Sequence, residues 1–200
     1  MARPIDFYFD FSSPYSYLGA QLIEPLAARH GRSVTWRPVL LGAIFKVSGM
    51  APLTEIPLKG DYSRVDFARS ARFHGLPYRH PEPFPISTVN TARAMLWWLA
   101  EAPARAPDFA RGALQAFFVE NRPINDPAEI GRLTAELGGD APALLAALQA
   151  PALKERLRAA VDEAVARGVF GAPFFFVDDE PFWGQDRLPQ IARWLAEGPY

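Results

Sequence analysis

The stretch Phe7–Leu22, FYFDFSSPYSYLGAQL, changes character in its middle. Before Ser12 it is aromatic and β-prone; after Pro14 the apolar residues Leu18, Leu22, Ile23 and Leu26 recur on one face at helical spacing. Ser13-Pro14 is a sound helix start, because a serine at the cap accepts a backbone N–H and a proline in the first turn has no N–H to lose. The expectation is a strand over Ile5–Phe11, a tight turn, and a helix that Pro25 kinks and Gly31 closes.

Working outward, VTWRPVLL (Val34–Leu41) reads as a second strand, with Pro38 at an edge or at its end. A β-α-β opening places the first two strands side by side and parallel, joined by a right-handed crossover. The next hundred residues and more are helical in pattern. Asp61 is a candidate cap for a helix ending near Gly75, Ser87 or Asn90 for the TARAMLWWLAEA helix that stops at Pro103, and Phe109, Leu114, Phe117 and Phe118 mark another. Asp126-Pro127-Ala128-Glu129 combines a cap residue, a first-turn proline and a following glutamate, and Ala141–Gln149 and Leu153–Gly168 complete the block.

Strand character returns in VFGAPFFFV and PFWG, which flank Asp178-Asp179-Glu180 as a hairpin, and Asp186 is the expected cap of a last helix, Arg187–Glu197. One sheet assembled from both ends of the chain, with helices between, is the α/β pattern of a thioredoxin fold with a large inserted α-helical domain. The expected division is a discontinuous thioredoxin-like domain, residues 1–42 and 169–200, around an inserted helical domain, residues 43–168.

The 200 residues are 50% hydrophobic and 22% charged, so a real core is available. Lys+Arg 21 against Asp+Glu 22 leaves a net charge of −1, which offers no nucleic-acid footprint and no polybasic membrane patch. With Cys 0 there is no disulfide scaffold and no thiolate chemistry from the chain itself. MARPIDFYFD lacks the pattern of a secretion signal, and no apolar run reaches the roughly 20 residues of a membrane span, so a soluble, cytoplasmic protein is expected, its partners small molecules or other proteins.

In a thioredoxin fold the turn after the first strand carries the active site, the slot of Cys-Pro-x-Cys in disulfide oxidoreductases; here it reads Ser13-Pro14-Tyr15-Ser16. Through FDFSSPYSYL, LKGDYSRVDFAR, GLPYRHP with FPISTVNTARAM, GVFGAPFFFV and FWGQDRL, the chain resembles the 2-hydroxychromene-2-carboxylate isomerases. It is similar, more distantly, to the kappa-class glutathione transferases. The resemblance implies a DsbA-like fold, glutathione as cofactor, an aromatic small-molecule substrate from naphthalene-type catabolism, and a homodimer.

It also implies roles for particular residues. Ser13 is the expected catalytic residue, its hydroxyl donating to the glutathione thiolate; read alone it is a plain helix cap, and the other motifs reverse that reading. Ala172 precedes Pro173, the position of a cis proline facing the active turn, and its main chain is expected to pair with the cysteinyl backbone of glutathione; a trans proline opening an edge strand is the alternative. Gln185 and Asp186 are expected at the γ-glutamyl end, with Asp186 also a cap, and Arg187 fixing it. Lys59 is expected to reach glutathione's glycyl carboxylate, or else to be a solvated surface lysine. Tyr15, Tyr62, Arg64 and Asn90 are candidates for the organic substrate, with packing for Tyr15 and capping for Asn90 as the alternatives. Ser16 reads as a helix-surface residue or a weak supporting group, Trp97, Trp98 and Trp183 as pocket walls, and His30, His74 and His80 as structural. A transferase that consumes glutathione and a non-catalytic glutathione- or partner-binding module remain as alternative functions.

Overall fold

A computed structural model describes residues 3–200. Strand β1 (Ile5–Phe9) pairs in parallel with β2 (Val34–Pro38), Ile5 opposite Val34 and Phe9 opposite Pro38. On its other side β1 runs antiparallel to β3 (Phe174–Val177), which forms a hairpin with β4 (Glu180–Trp183). The sheet order is β2-β1-β3-β4. Both ends of the chain therefore build one mixed sheet, with helix α1 (Pro14–Arg29) as the crossover between β1 and β2. The architecture is the DsbA-like thioredoxin fold.

The sheet is sandwiched because its strands alternate. Ile5, Phe7, Phe9, Phe175 and Val177 turn to one face, where α1 and the last helix α9 (Leu188–Glu197) cover them. Phe7 stacks on Phe175 and meets Trp36 edge to face, 5.1 and 5.0 Å between ring centroids. Tyr8, Phe174 and Phe176 turn to the other face, against Ile44 of α2 (Leu41–Ser48), Ala92 and Leu96 of α4 (Val89–Glu101) and Leu157 and Val161 of α8 (Pro151–Ala166). Each large apolar side chain enclosed in this way contributes roughly 1.5–3 kcal/mol of transfer free energy.

Between β2 and β3 come α2, α3 (Lys59–Phe73), α4, α5 (Ala106–Phe118), α6 (Pro127–Glu136), α7 (Ala141–Ala147) and α8. The core runs on into this block without a break: Phe11 meets Phe109 of α5 edge to face, and Tyr17 of α1 packs on Phe118.

Several expected boundaries move, each for a visible reason. β1 ends at Phe9, not Phe11, because the Asp10 amide donates to Ser16 Oγ and leaves the ladder. β2 ends at Pro38, and Leu41 starts α2 with its amide on the Asp10 carboxylate. α3 starts at Lys59, so Asp61 lies in its first turn and does not cap it. Thr88, not Ser87 or Asn90, holds the cap position of α4, and its hydroxyl goes to Asp10 instead of a helix amide. Asp186 falls inside a 3-10 turn, Gln185–Arg187, and α9 begins after it. Pro25 lies within α1, which continues through it to Arg29. The Asp126 cap is found as expected, its carboxylate accepting the Ala128 amide at 2.9 Å. Asp178 and Asp179 take positive φ values of 52° and 76° in the β3–β4 turn, and their carboxylates pair with Arg32 and Arg3.

Candidate active site

The turn between β1 and α1 opens into a cavity of 1190 Å³. Ser13 caps α1: its Oγ accepts the Ser16 amide at 3.1 Å and donates to the main-chain carbonyl of Ala172 at 3.0 Å. The Ala172–Pro173 peptide is cis, and both residues line the same cavity. The active turn and the loop before β3 are thus joined through a single serine hydroxyl, itself buried.

Asp10 is the anchor of this turn. Its Oδ1 accepts the Ser12 amide at 2.7 Å and the Thr88 hydroxyl at 3.0 Å, and its Oδ2 accepts the Leu41 amide at 2.6 Å. Burial pushes the Asp10 carboxyl above the usual carboxylate range, against the pull of those three donors. Ser16 is fully buried and accepts the Asp10 amide at 3.3 Å, which corrects its reading as a surface residue. Nothing in the sequence pattern of Asp10 beyond its place inside an aromatic strand marked it as a cavity residue.

A second network joins the turn to the inserted helices. Tyr15 donates to Asp66 of α3, which also pairs with Arg69, and Arg69 donates to the Tyr62 hydroxyl at 2.9 Å. Burial, reinforced by the acceptor Asp66, raises the Tyr15 phenol well above the usual tyrosine value, so it stays protonated. Burial alone would raise Asp66 too, but the donors Tyr15 and Arg69 outweigh it and hold that carboxyl below the ordinary range.

The structure brings Ser13, Tyr15, Tyr62, Ala172, Pro173, Gln185 and Asp186 to the cavity wall, and Lys59, Arg64 and Asn90 fall outside its lining. Lys59 is exposed at the first position of α3, Arg64 is turned to His80 Nε2 at 2.8 Å, and Asn90 is half-buried in the first turn of α4. Trp183 lines the cavity, whereas Trp98 is buried in the core on Phe109 and Trp97 packs beside it. Gln185 is buried and its side-chain oxygen meets His74 Nε2 at 3.0 Å, a link between α3 and the 3-10 turn. Asp186 and Arg187 pair at 3.4 Å at the cavity rim.

The cavity lining is mixed: the polar Ser13, Gln185, Asp186 and Arg187 share it with the apolar Leu40, Phe45, Met50, Phe84, Ile86 and Val89. Lys46 and Arg187 are the cationic residues of the lining. Pockets for single small ligands run to about 1,000 Å³, and this cavity lies just above that range.

Residues 4–196 match the DSBA-like thioredoxin domain. The chain belongs to that family. Within it, the chain is similar to a 2-hydroxychromene-2-carboxylate isomerase from Sphingobium xenophagum, 33% identical over 199 residues that cover 98% of this chain and 100% of the relative. It is also similar to glutathione S-transferase kappa 2 of Caenorhabditis elegans, 31% identical over 214 residues, 98% of this chain and 92% of that one. Among solved structures, a 2-hydroxychromene-2-carboxylate isomerase superposes with a TM-score of 0.85 at 28% identity, covering 96% of this chain and 94% of the other. These relatives make the chain an enzyme of the isomerase and kappa-transferase branch of the family. Among the described residues, no helix is long and apolar enough to cross a membrane.

Proposed function

We propose that the chain is a glutathione-dependent isomerase that interconverts 2-hydroxychromene-2-carboxylate and trans-o-hydroxybenzylidenepyruvate. The observation that carries this reading is Ser13 at the amino terminus of α1, hydrogen-bonded to the Ala172 carbonyl beside the cis Pro173, in a cavity that apolar side chains also line. When bound, glutathione supplies a thiolate that makes the substrate's conjugated double bond free to rotate.

The chain's own groups hold and charge that sulfur. Helix amino termini favour anions and lower thiol pKa values from near 8.5 to about 3.5–7.5, and the Ser13 hydroxyl adds a donor once it turns from the Ala172 carbonyl to the anion. Main-chain pairing at Ala172 orients the cysteinyl unit, and Asp186 and Gln185 receive the γ-glutamyl end. The apolar wall from Leu40 to Val89 excludes water from the aromatic ring, with Lys46 and Arg187 as the cations available to carboxylates. The roles of Lys59, Arg64 and Asn90 expected from the resemblance gain no support from their positions. Glutathione is abundant in reducing compartments, which fits a chain free of cysteine in the cytoplasm.

A homodimer is part of the same reading. Leu58 at the cap of α3 and Tyr62, Val65 and Phe73 along it, spaced by four, three and eight residues, form an exposed apolar stripe, 88%, 62%, 59% and 84% accessible. Asp61 and Arg72 lie on one flank of that stripe, so two copies of α3 packed antiparallel about a two-fold axis would bring each Asp61 to the other's Arg72.

The test is to follow the absorbance of the benzylidenepyruvate with purified protein, with and without glutathione, for the wild type and Ser13→Ala. Rapid conversion that needs only catalytic glutathione, and is lost in Ser13→Ala, is expected. Absence of any glutathione-dependent change in the wild type overturns the isomerase reading. Stoichiometric loss of glutathione would instead favour a transferase, the reading that the kappa-class relative supports.

A further inference from the structure

The Ser13 hydroxyl has one proton, and in the structure that proton is already committed. Oγ donates to the Ala172 carbonyl at 3.0 Å while accepting the Ser16 amide at 3.1 Å. The acceptor contact supports the helix cap and does not compete with a ligand. The donor contact does: a serine hydroxyl cannot donate to a carbonyl and to a sulfur at the same time. Ser13 is only 4% exposed, so its proton has few partners to choose from.

We infer that the Ala172 carbonyl is a specificity determinant, admitting to Ser13 only those thiols that bring an amide N–H to replace the serine hydroxyl on that carbonyl. This rests on the proposal that the site binds glutathione. A thiolate is the stronger attractor, since hydrogen bonds to ionised acceptors are roughly twice as strong as neutral ones. Turning the hydroxyl toward sulfur nevertheless strips the Ala172 carbonyl of a donor in a part-buried position, and such a loss is unfavourable. Glutathione's cysteinyl amide, lying antiparallel to the loop before β3, restores the donor as the hydroxyl leaves. A simple alkyl thiol brings no such group.

Serine keeps its proton throughout; the thiol proton goes to solvent, and only hydrogen-bond partners are exchanged. Seating the peptide backbone and stabilising the thiolate are thereby one coupled event. The site should discriminate between thiols by what lies beside the sulfur as well as by the sulfur itself.

The probe is a pair of ligands: glutathione, and its depsipeptide analogue in which mercaptolactate replaces cysteine, so that an ester oxygen stands where the cysteinyl N–H was. Binding of each is measured by calorimetry, and the thiolate-to-thiol ratio of the bound ligand by ultraviolet absorbance at fixed pH, for the wild type and Ser13→Ala. With glutathione, Ser13→Ala should lower that ratio about tenfold, the equivalent of 1.4 kcal/mol. With the depsipeptide the same substitution should lower it less than about threefold. Because both ligands are read on the same two proteins, any general damage from losing the helix cap cancels. Equal drops with both ligands would falsify the exchange while leaving the glutathione reading intact. No binding of glutathione, or no response of its ionisation to Ser13→Ala, overturns that reading and the inference with it.

Discussion

The Thr88 hydroxyl donates to the Asp10 carboxylate at 3.0 Å, across 78 positions of sequence. That bond ties the cap of α4 to the residue that also holds the active turn, through the Ser12 amide, and the first turn of α2, through the Leu41 amide. Thr88→Val keeps the shape and removes one of the three donors. A loss of about 1.5–3 kcal/mol is expected for a hydrogen bond to a charged group, read as a lower denaturation midpoint with an unchanged slope. An unchanged midpoint would show that the bond contributes nothing.

Asp10 and Asp66 should respond to pH in opposite directions. Burial raises the folded Asp10 above its unfolded value of about 3.9, so Asp10 subtracts nothing below pH ~4 and subtracts stability as the pH rises through its folded pKa. The stability difference between wild type and Asp10→Asn should therefore become less favourable to the wild type from pH ~4 upward. A difference independent of pH would show that the folded carboxyl is not raised.

Asp66 titrates the other way. Burial is outweighed by the donors Tyr15 and Arg69, its folded pKa lies below its unfolded one, and the stability it adds is present above pH ~4 and lost as the pH falls through the folded value. Tyr15→Phe removes one donor. It should cost about 1 kcal/mol at neutral pH and make the acid limb of the stability profile shallower, because Asp66 then titrates nearer its unfolded value. Equal acid limbs for both proteins would refute the coupling.

Gly171 is required by its neighbour. A Cβ there would stand 2.5 Å from Trp183 Nε1 and 3.0 Å from Cε2, so Gly171→Ala must push the indole, which lines the cavity. Overpacking of this kind costs roughly 1–3 kcal/mol. Trp183 fluorescence should shift and substrate affinity should fall more than stability does; an activity profile identical to wild type would mean that the indole can swing away freely.

The α3 stripe predicts its own test. Val65→Glu with Phe73→Glu places charge on both halves of an exposed apolar face and should convert a dimer to a monomer in sedimentation, with little change in folding, because both side chains are more than half accessible. A wild type that sediments as a monomer removes the dimer from the proposal.

Much of the fold was legible because its signals are local. Ser13-Pro14, the run of phenylalanines from 174 to 176 and Asp126-Pro127 each declare an element within a few residues, and the strand-rich ends around a helical middle imply one shared sheet. Asp61, Asn90 and Asp186 have cap-competent side chains but do not hold the cap positions, and at α4 that position falls to Thr88, whose hydroxyl is held by Asp10 from far along the chain. Asp10, Asp66 and His74 were invisible as site-shaping residues because the partners that tie them across the fold, Leu41 and Thr88 for Asp10, Tyr15 for Asp66 and Gln185 for His74, are dozens of positions away. A buried acid beside a strand has no sequence signature that separates it from a surface one.

The two outer strands of the sheet both contain proline, Pro38 in β2 and Pro181 in β4, and β4 also carries the exposed Glu180. Each proline deletes an N–H from a border that would otherwise template further strands, and the charge discourages apolar stacking there. Both borders of the sheet are thus kept from inviting the molecule's own kind to polymerise along them.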